Sequence, residues 1–176
     1  MQWKKCRKLG WWQRKASRVS WMNWNYSLKW EVRKNFEHKA KDCLTCEVQG
    51  ICCTDAHFVN VHISKLEAIA IKNALGKLDE RKRKEIYSRV EGAINEYNLQ
   101  ETGDTFAQKF SCPLFAKDVG CLVHEAGKPI PCIQHACYEN REDLPPDELQ
   151  TKQEKAVERL NAQTFGNTTN WLPLPV

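Results

Sequence analysis

The sequence predicts a small α+β domain, in which short strands, loops and two to four helices are organised around a cysteine-ligated metal centre. Three observations lead there. Cys43, Cys46, Cys52 and Cys53 fall within eleven residues, and Cys112, Cys121, Cys132 and Cys137 form a second group of four. Between the groups lie two stretches of helical period with clear start signals, whereas the alternating segments are too short for a large sheet. Apolar residues make up only 41% of the 176, which is a modest core for a chain with nine cysteines.

In chain order, residues 1–37 hold six of the seven tryptophans, Trp3, Trp11, Trp12, Trp21, Trp24 and Trp30. The alternation Trp24, Tyr26, Leu28, Trp30, Val32 reads as a strand, and the stripe Trp21, Trp24, Leu28, Val32 reads equally as a helix. After the first cysteine group, His57 to Ile63 alternates like a short strand. Ser64 and Glu67 have the spacing of a capping box, opening a helix through Leu66, Ile69, Ala70, Ala74 and Leu75 that Gly76 ends. Asp79 caps a second helix, in which Ile86, Val90 and Ile94 recur every four residues.

Residues 98–111 show little periodicity. Cys112 to His124 then reads as two short extended pieces around a turn at Lys117 to Gly120. Pro129 and Pro131 are expected to stiffen an open loop ahead of Cys132, with one wide turn or a short helix carrying Cys132 to Cys137. Pro145-Pro146 marks a break before a polar helix from about Asp147 to Ala162, whose sparse apolar contacts are Leu149, Val157 and Leu160. Gly166 ends that helix, and residues 171–176 form a tail that packs on the body. The expected organisation is a basic Trp-rich extension (1–37), a cysteine cluster domain (38–140) and a C-terminal helix and tail (141–176).

The cysteine pattern carries the chemistry. A C-x-x-C turn lets two thiolates converge on one ion. Adjacent side chains diverge, so at least one of Cys52 and Cys53 is expected to face other ligands. No run approaches the roughly 18 apolar residues of a membrane span, and no apolar stretch of a secretory signal follows the basic start. The expected compartment is therefore the cytoplasm, where thiols stay reduced and clustered cysteines point to metal rather than disulfides. Cys6 stands apart and is set aside. The eight remaining thiols suit two four-coordinate zinc sites or an iron–sulfur cluster, and sequence does not decide between them.

Charge is divided unevenly: residues 1–42 carry a net +9 and the remainder −4. The basic, aromatic arm of residues 1–42 is therefore read three ways. It packs on the acidic, thiolate-rich body, contacts a protein partner or an anionic membrane surface, or binds single-stranded nucleic acid. His57, His62, His124 and His135 lie near the cysteines as candidate ligands or second donors, His135 first among them because it lies between Cys132 and Cys137. No Ser-His-Asp set, phosphate-cradling loop or dinucleotide fingerprint occurs, so no small-molecule substrate is identified.

The order C-x-x-C, Cys-Cys, Cys112-Pro113, Gly120-Cys121, then Cys132 and Cys137 after a proline resembles the YkgJ-type cysteine cluster family, a zinc- or iron-chelating domain. The resemblance spans about residues 43–137 and implies that Cys43, Cys46, Cys52, Cys53, Cys112, Cys121, Cys132 and Cys137 are its eight metal ligands. The chain departs from the family in a longer gap between Cys46 and Cys52, in Lys128 where arginine is usual, and in His124 where an aromatic is common. Three functions follow as expectations. The first is a metal-binding protein with a chelating, structural or redox accessory role. The second is a metal-dependent protein-modifying enzyme or its partner, since flagellin lysine methylases contain such a cluster, and the third is a nucleic-acid-binding module using the basic arm.

Overall fold

The computed structural model describes residues 31–54, 60–166 and 171–176. It is α+β: helices dominate, and two small antiparallel sheets of two strands each complete the framework. The chain enters through a helical stretch over residues 31–35 and a 3-10 turn at Glu37–Lys39. Glu31 and Val32, the last residues of the alternating Trp24–Val32 segment, are thus helical. The rest of that segment, with the six N-terminal tryptophans and Cys6, lies outside the described residues, as do His57 and the first part of the expected strand at 57–63.

The principal elements are β1 (His62–Ile63), α1 (Lys65–Leu75), α2 (Glu80–Glu96), β2 (Phe115–Ala116), β3 (Gly120–Cys121), α3 (Ile130–Gln134), α4 (Asp147–Phe165) and β4 (Leu172–Pro173). The capping box at the start of α1 forms as expected, with both halves of the reciprocal bond made. Asp79 accepts from the Lys82 amide at the start of α2. β2 and β3 pair with Phe115 opposite Cys121, around a turn at Lys117–Val119.

Two expectations change. Pro129 and Pro131 do not hold a loop open; they start α3, Pro129 as its N-cap and Pro131 within its first turn. The reason is that proline has its helical φ preset and lacks only an N–H that a first turn cannot use. The C-terminal tail does more than pack. Leu172 and Pro173 pair with Ile63 and His62, so the last residues supply a strand.

α1 is the hub. One face joins α2, β1, β4 and the buried Phe110, Leu114 and Val123 in the main apolar cluster, where Ile71 and Leu75 are fully buried. The other face presents Leu66 and Ala70 to Ile130 of α3 and Val157 of α4. Each fully buried Leu or Ile contributes about 1.5–3 kcal/mol relative to exposure. Polar residues complete this second face: Asn161 Oδ1 accepts from the Leu66 amide at 3.1 Å, capping α1 from α4. At Gly127 an added Cβ would stand 3.1 Å from Ile71 Cα, Ala74 Cβ and Val123 Cβ, so the absence of a side chain lets this loop lie directly on α1.

Glu67 fastens the region that positions the second cysteine group. Fully buried, it accepts from the Ser64 amide (2.9 Å), the Ser64 hydroxyl (3.0 Å) and the Ile130 amide (2.9 Å), joining the first turn of α1 to that of α3. Replacing Glu67 by alanine strands those buried donors, so Glu67→Ala is expected to lower unfolding free energy by about 3 kcal/mol. Denaturant unfolding of the two proteins checks this, and a loss below about 0.5 kcal/mol would contradict the role.

Candidate metal centre

All eight described cysteines, which are free, line one cavity of about 1540 Å³. The two groups, separated by nearly sixty residues of helix and connection, thus open onto the same space. The C-x-x-C segment reaches this cavity as a loop shaped by local bonds. Asp42 Oδ1 accepts from the Leu44 amide at 2.9 Å and the Asp42 carbonyl from the Thr45 amide at 3.2 Å, turning the chain between Cys43 and Cys46. Gly50, at φ +78°, then redirects it into the 3-10 turn Ile51–Cys53.

Four ties hold that loop against the rest of the site. At its start, the Lys41 amide donates to the Cys137 carbonyl at 2.9 Å, beside an antiparallel bridge of Ala40 with Tyr138. Midway, the Gln49 side chain accepts from the Asp118 amide at 2.7 Å. Gly50 lies against the Phe115 ring, in space that a Cβ would overlap. At its end, the Cys53 carbonyl accepts from the Cys112 amide at 2.8 Å. The β2–β3 hairpin and the loop after α3 therefore fix the loop from both sides.

Among the described residues, no three cysteine, histidine or carboxylate side chains stand close enough to enclose an ion as they are placed. The sulfurs of Cys52 and Cys53 are 4.0 Å apart. Tetrahedral coordination at a Zn–S distance of 2.3 Å sets sulfur–sulfur separations of about 3.8 Å. A staggered change of χ1 swings a cysteine sulfur by about 3 Å.

The thiols discourage one another's ionisation. Burial raises Cys43, Cys121 and Cys132, and it raises Cys137 to about 11 with a further contribution from Cys52. Hydrogen bonding to Cys53 and then burial raise Cys52, while bonding to Cys112 leads the rise at Cys53. These are thiols crowded with thiols, a setting in which a divalent cation, by compensating the negative charge, favours the thiolate form that binds it.

Beside His38 of the entry turn, which also lines the cavity, the three described histidines of the candidate set each have a distinct position. His62 is buried with its ring nitrogens at Asn60 O (2.6 Å) and Thr105 Oγ1 (3.1 Å), stacked on Phe106. That stacked, doubly bonded ring is held by its neighbours, and burial lowers its pKa. His124 lies at the rim, 3.9 Å from both Glu37 and Glu125 carboxylates, while His135 is the C-cap of α3 and lines the cavity.

Sequence reasoning missed the ion cluster beside Cys121. Glu37 accepts from Lys128 Nζ and Arg33 Nε, both at 2.6 Å. Glu37 and Lys128 side chains are only 10% and 13% exposed, so this bridge between the entry turn and the loop before α3 is largely desolvated. Lys128 had been noted only as a departure from an expected arginine; the i,i+4 spacing of Arg33 and Glu37 was the available signal. Sequence also left unassigned the apolar rim: Leu44, Val48, Phe106 and Val119, each more than half exposed, all line the cavity.

Two predictions follow from this geometry. Gly50→Ala meets both a left-handed backbone and the Phe115 ring; a cost of at least about 2 kcal/mol is expected, measurable by denaturant unfolding. Lys128→Met should cost about 2 kcal/mol at neutral pH by removing a partly buried charged hydrogen bond. At Glu37 burial acts to raise the carboxyl, but Lys128 and Arg33 outweigh it and hold it below its ordinary 4.5. Its contribution is therefore complete above that pH and is lost as pH falls through the depressed value. The stability gap between wild type and Lys128→Met should narrow below pH 4.5 in unfolding curves; a gap that widens there would contradict the assignment.

No family model, curated protein or solved structure matches this chain.

Proposed function

We propose that this protein binds metal through its eight clustered cysteines, as zinc or an iron–sulfur centre, and that the centre serves a chelating, structural or redox accessory role. The observation that carries this is the convergence of Cys43, Cys46, Cys52, Cys53, Cys112, Cys121, Cys132 and Cys137 on a single cavity. The donor set supports it chemically, because thiolates are the ligands of structural zinc and of iron–sulfur clusters. The sequence resemblance to the YkgJ-type cysteine cluster points the same way.

Free, mutually close thiols fit a reducing compartment such as the cytoplasm. No helix among the described residues is long and apolar enough to cross a membrane. Zinc bound by four thiolates would close the loops and add folding energy; iron would add the capacity to carry an electron. The chain's own residues provide the cage: the four ties of the C-x-x-C loop orient it, and the apolar interior beneath Cys112 and Cys121 shields one side from water.

Anaerobic purification followed by elemental analysis and a visible spectrum tests the proposal. Absorption near 400 nm with bound iron identifies a cluster; a colourless protein with about two zinc per chain identifies a structural centre. A folded protein without either metal, unable to take up added zinc or iron, would refute it. Cys46→Ser, Cys53→Ser and Cys132→Ser should each lower metal content and melting temperature, whereas Cys6→Ser should leave metal content unchanged. Chelation should remove on the order of 10 kcal/mol of folding energy, comparable to the whole stability of a domain, and so abolish cooperative melting.

A further inference from the structure

We infer that the mouth of the cysteine cavity is the docking surface for the chain's own basic, tryptophan-rich segment, residues 1–30. Docking there requires the cavity and the segment, and no bound ion. It puts a cover over the thiols: indole rings lie on the apolar rim, and lysines and arginines meet the carboxylates around it.

The rim is the first observation. Among the described residues, the large apolar side chains left exposed are Leu44, Val48, Phe106 and Val119, and all four line this one cavity. They come from three separate stretches: the C-x-x-C loop, the 3-10 turn Thr105–Ala107 and the turn between β2 and β3. Single exposed apolar residues are ordinary on a protein surface. Their gathering from three segments around one opening marks a surface that another apolar group covers. Residues 1–30 hold six of the chain's seven tryptophans.

Charge and position select that occupant. Residues 1–30 contain eight lysines and arginines and no aspartate or glutamate, whereas residues 31–176 hold nineteen basic against twenty-two acidic residues. Asp42, Glu125, Glu154 and Glu158 all line the cavity. Glu154 and Glu158 are exposed on successive turns of α4, a spacing at which like charges disfavour each other. Among the described residues, neither is ion-paired with a lysine or arginine. The segment also joins the body at the right place. Residue 31 opens the helical stretch whose Arg33 lines the cavity and donates to the Glu125 carbonyl at 3.0 Å. Thirty residues reach about 100 Å extended and about 45 Å as a helix, either ample for a cavity of about 1540 Å³. Tethering gives an effective concentration on the order of millimolar, so a weak attraction favours this segment over a free partner or a second copy.

Carbodiimide cross-linking of the full-length wild type, which joins lysine amines to carboxylates in contact, tests this. Links from Lys4, Lys5, Lys8 or Lys15 to Asp42, Glu125, Glu154 or Glu158 are expected. In a mixture of light and heavy-nitrogen protein they should fall within one chain, and in about 1 M salt they should fade as the charges are screened. No such link, links only to carboxylates away from the cavity, or links only between copies would overturn the inference, the last by making a second copy the occupant. Chymotrypsin, which cuts at the segment's tryptophans and not at introduced lysines, gives a second measurement. Glu154→Lys/Glu158→Lys should speed cleavage within residues 1–30 about tenfold by raising the undocked population. Glu85→Lys/Glu91→Lys makes the same charge change on α2, away from the cavity, and should leave the rate unchanged. Equal rates in wild type and both variants, each folded by its melting temperature, would overturn docking at this surface. An equal rise in both variants would also overturn it, by showing attraction to net charge alone.

Discussion

The architecture depends on bringing thiols from positions 43 to 137 into one space with little apolar mass to hold them there. The first cysteine loop contains no helix longer than a 3-10 turn, and Leu44 and Val48 on it are exposed rather than buried. Its position rests on individual bonds: a backbone pair with residues 137 and 138, a glutamine to the Asp118 amide, a glycine under the Phe115 ring, and the Cys53–Cys112 bond. Each net hydrogen bond contributes about 1 kcal/mol. Several such bonds fix a geometry; they provide a modest share of the free energy needed to order a dozen residues, at about 1–2 kcal/mol of backbone entropy each.

The remainder of the fold rests on apolar packing where the loop rests on individual bonds. α1 has apolar contacts on two faces, and Glu67 couples its first turn to α3, so Cys132 stands on an element fixed to the core. Cys112 and Cys121 pack at the edge of the main apolar cluster. Cys112, Cys121 and Cys132 are therefore presented by elements packed on the core, whereas the four thiols of the first group sit on a segment whose conformation is specified locally.

Much of this organisation is legible in the residues. Ser64 and Glu67, Asp79, the four-residue spacing of Ile86, Val90 and Ile94, and the turn at Lys117 to Gly120 are local signals, and the structure forms each as read. The α+β class follows from them. What local signals do not encode is pairing at a distance. Leu172 and Pro173 read only as a tail that packs on the body because their strand character comes from the edge that β1 offers. Polar Gln153 and Asn161 look solvent-facing on α4, yet are buried, Asn161 because the free amide at the start of α1 needs an acceptor. Pro129 and Pro131 were misread since proline stiffens a loop or starts a helix equally well, and the decision comes from Glu67, sixty-three residues earlier, receiving the Ile130 amide.

The candidate site divides along the same line. Sequence identifies which eight residues gather, because cysteine spacing records ligand type, but it says nothing about which thiol faces which. The adjacency of Cys52 and Cys53 is the one place where local geometry constrains that, since side chains of neighbours diverge. In the fold those two sulfurs nevertheless lie 4.0 Å apart, and backbone bonds from the Lys41 amide to the Cys137 carbonyl and from the Cys112 amide to the Cys53 carbonyl tie the two groups to each other.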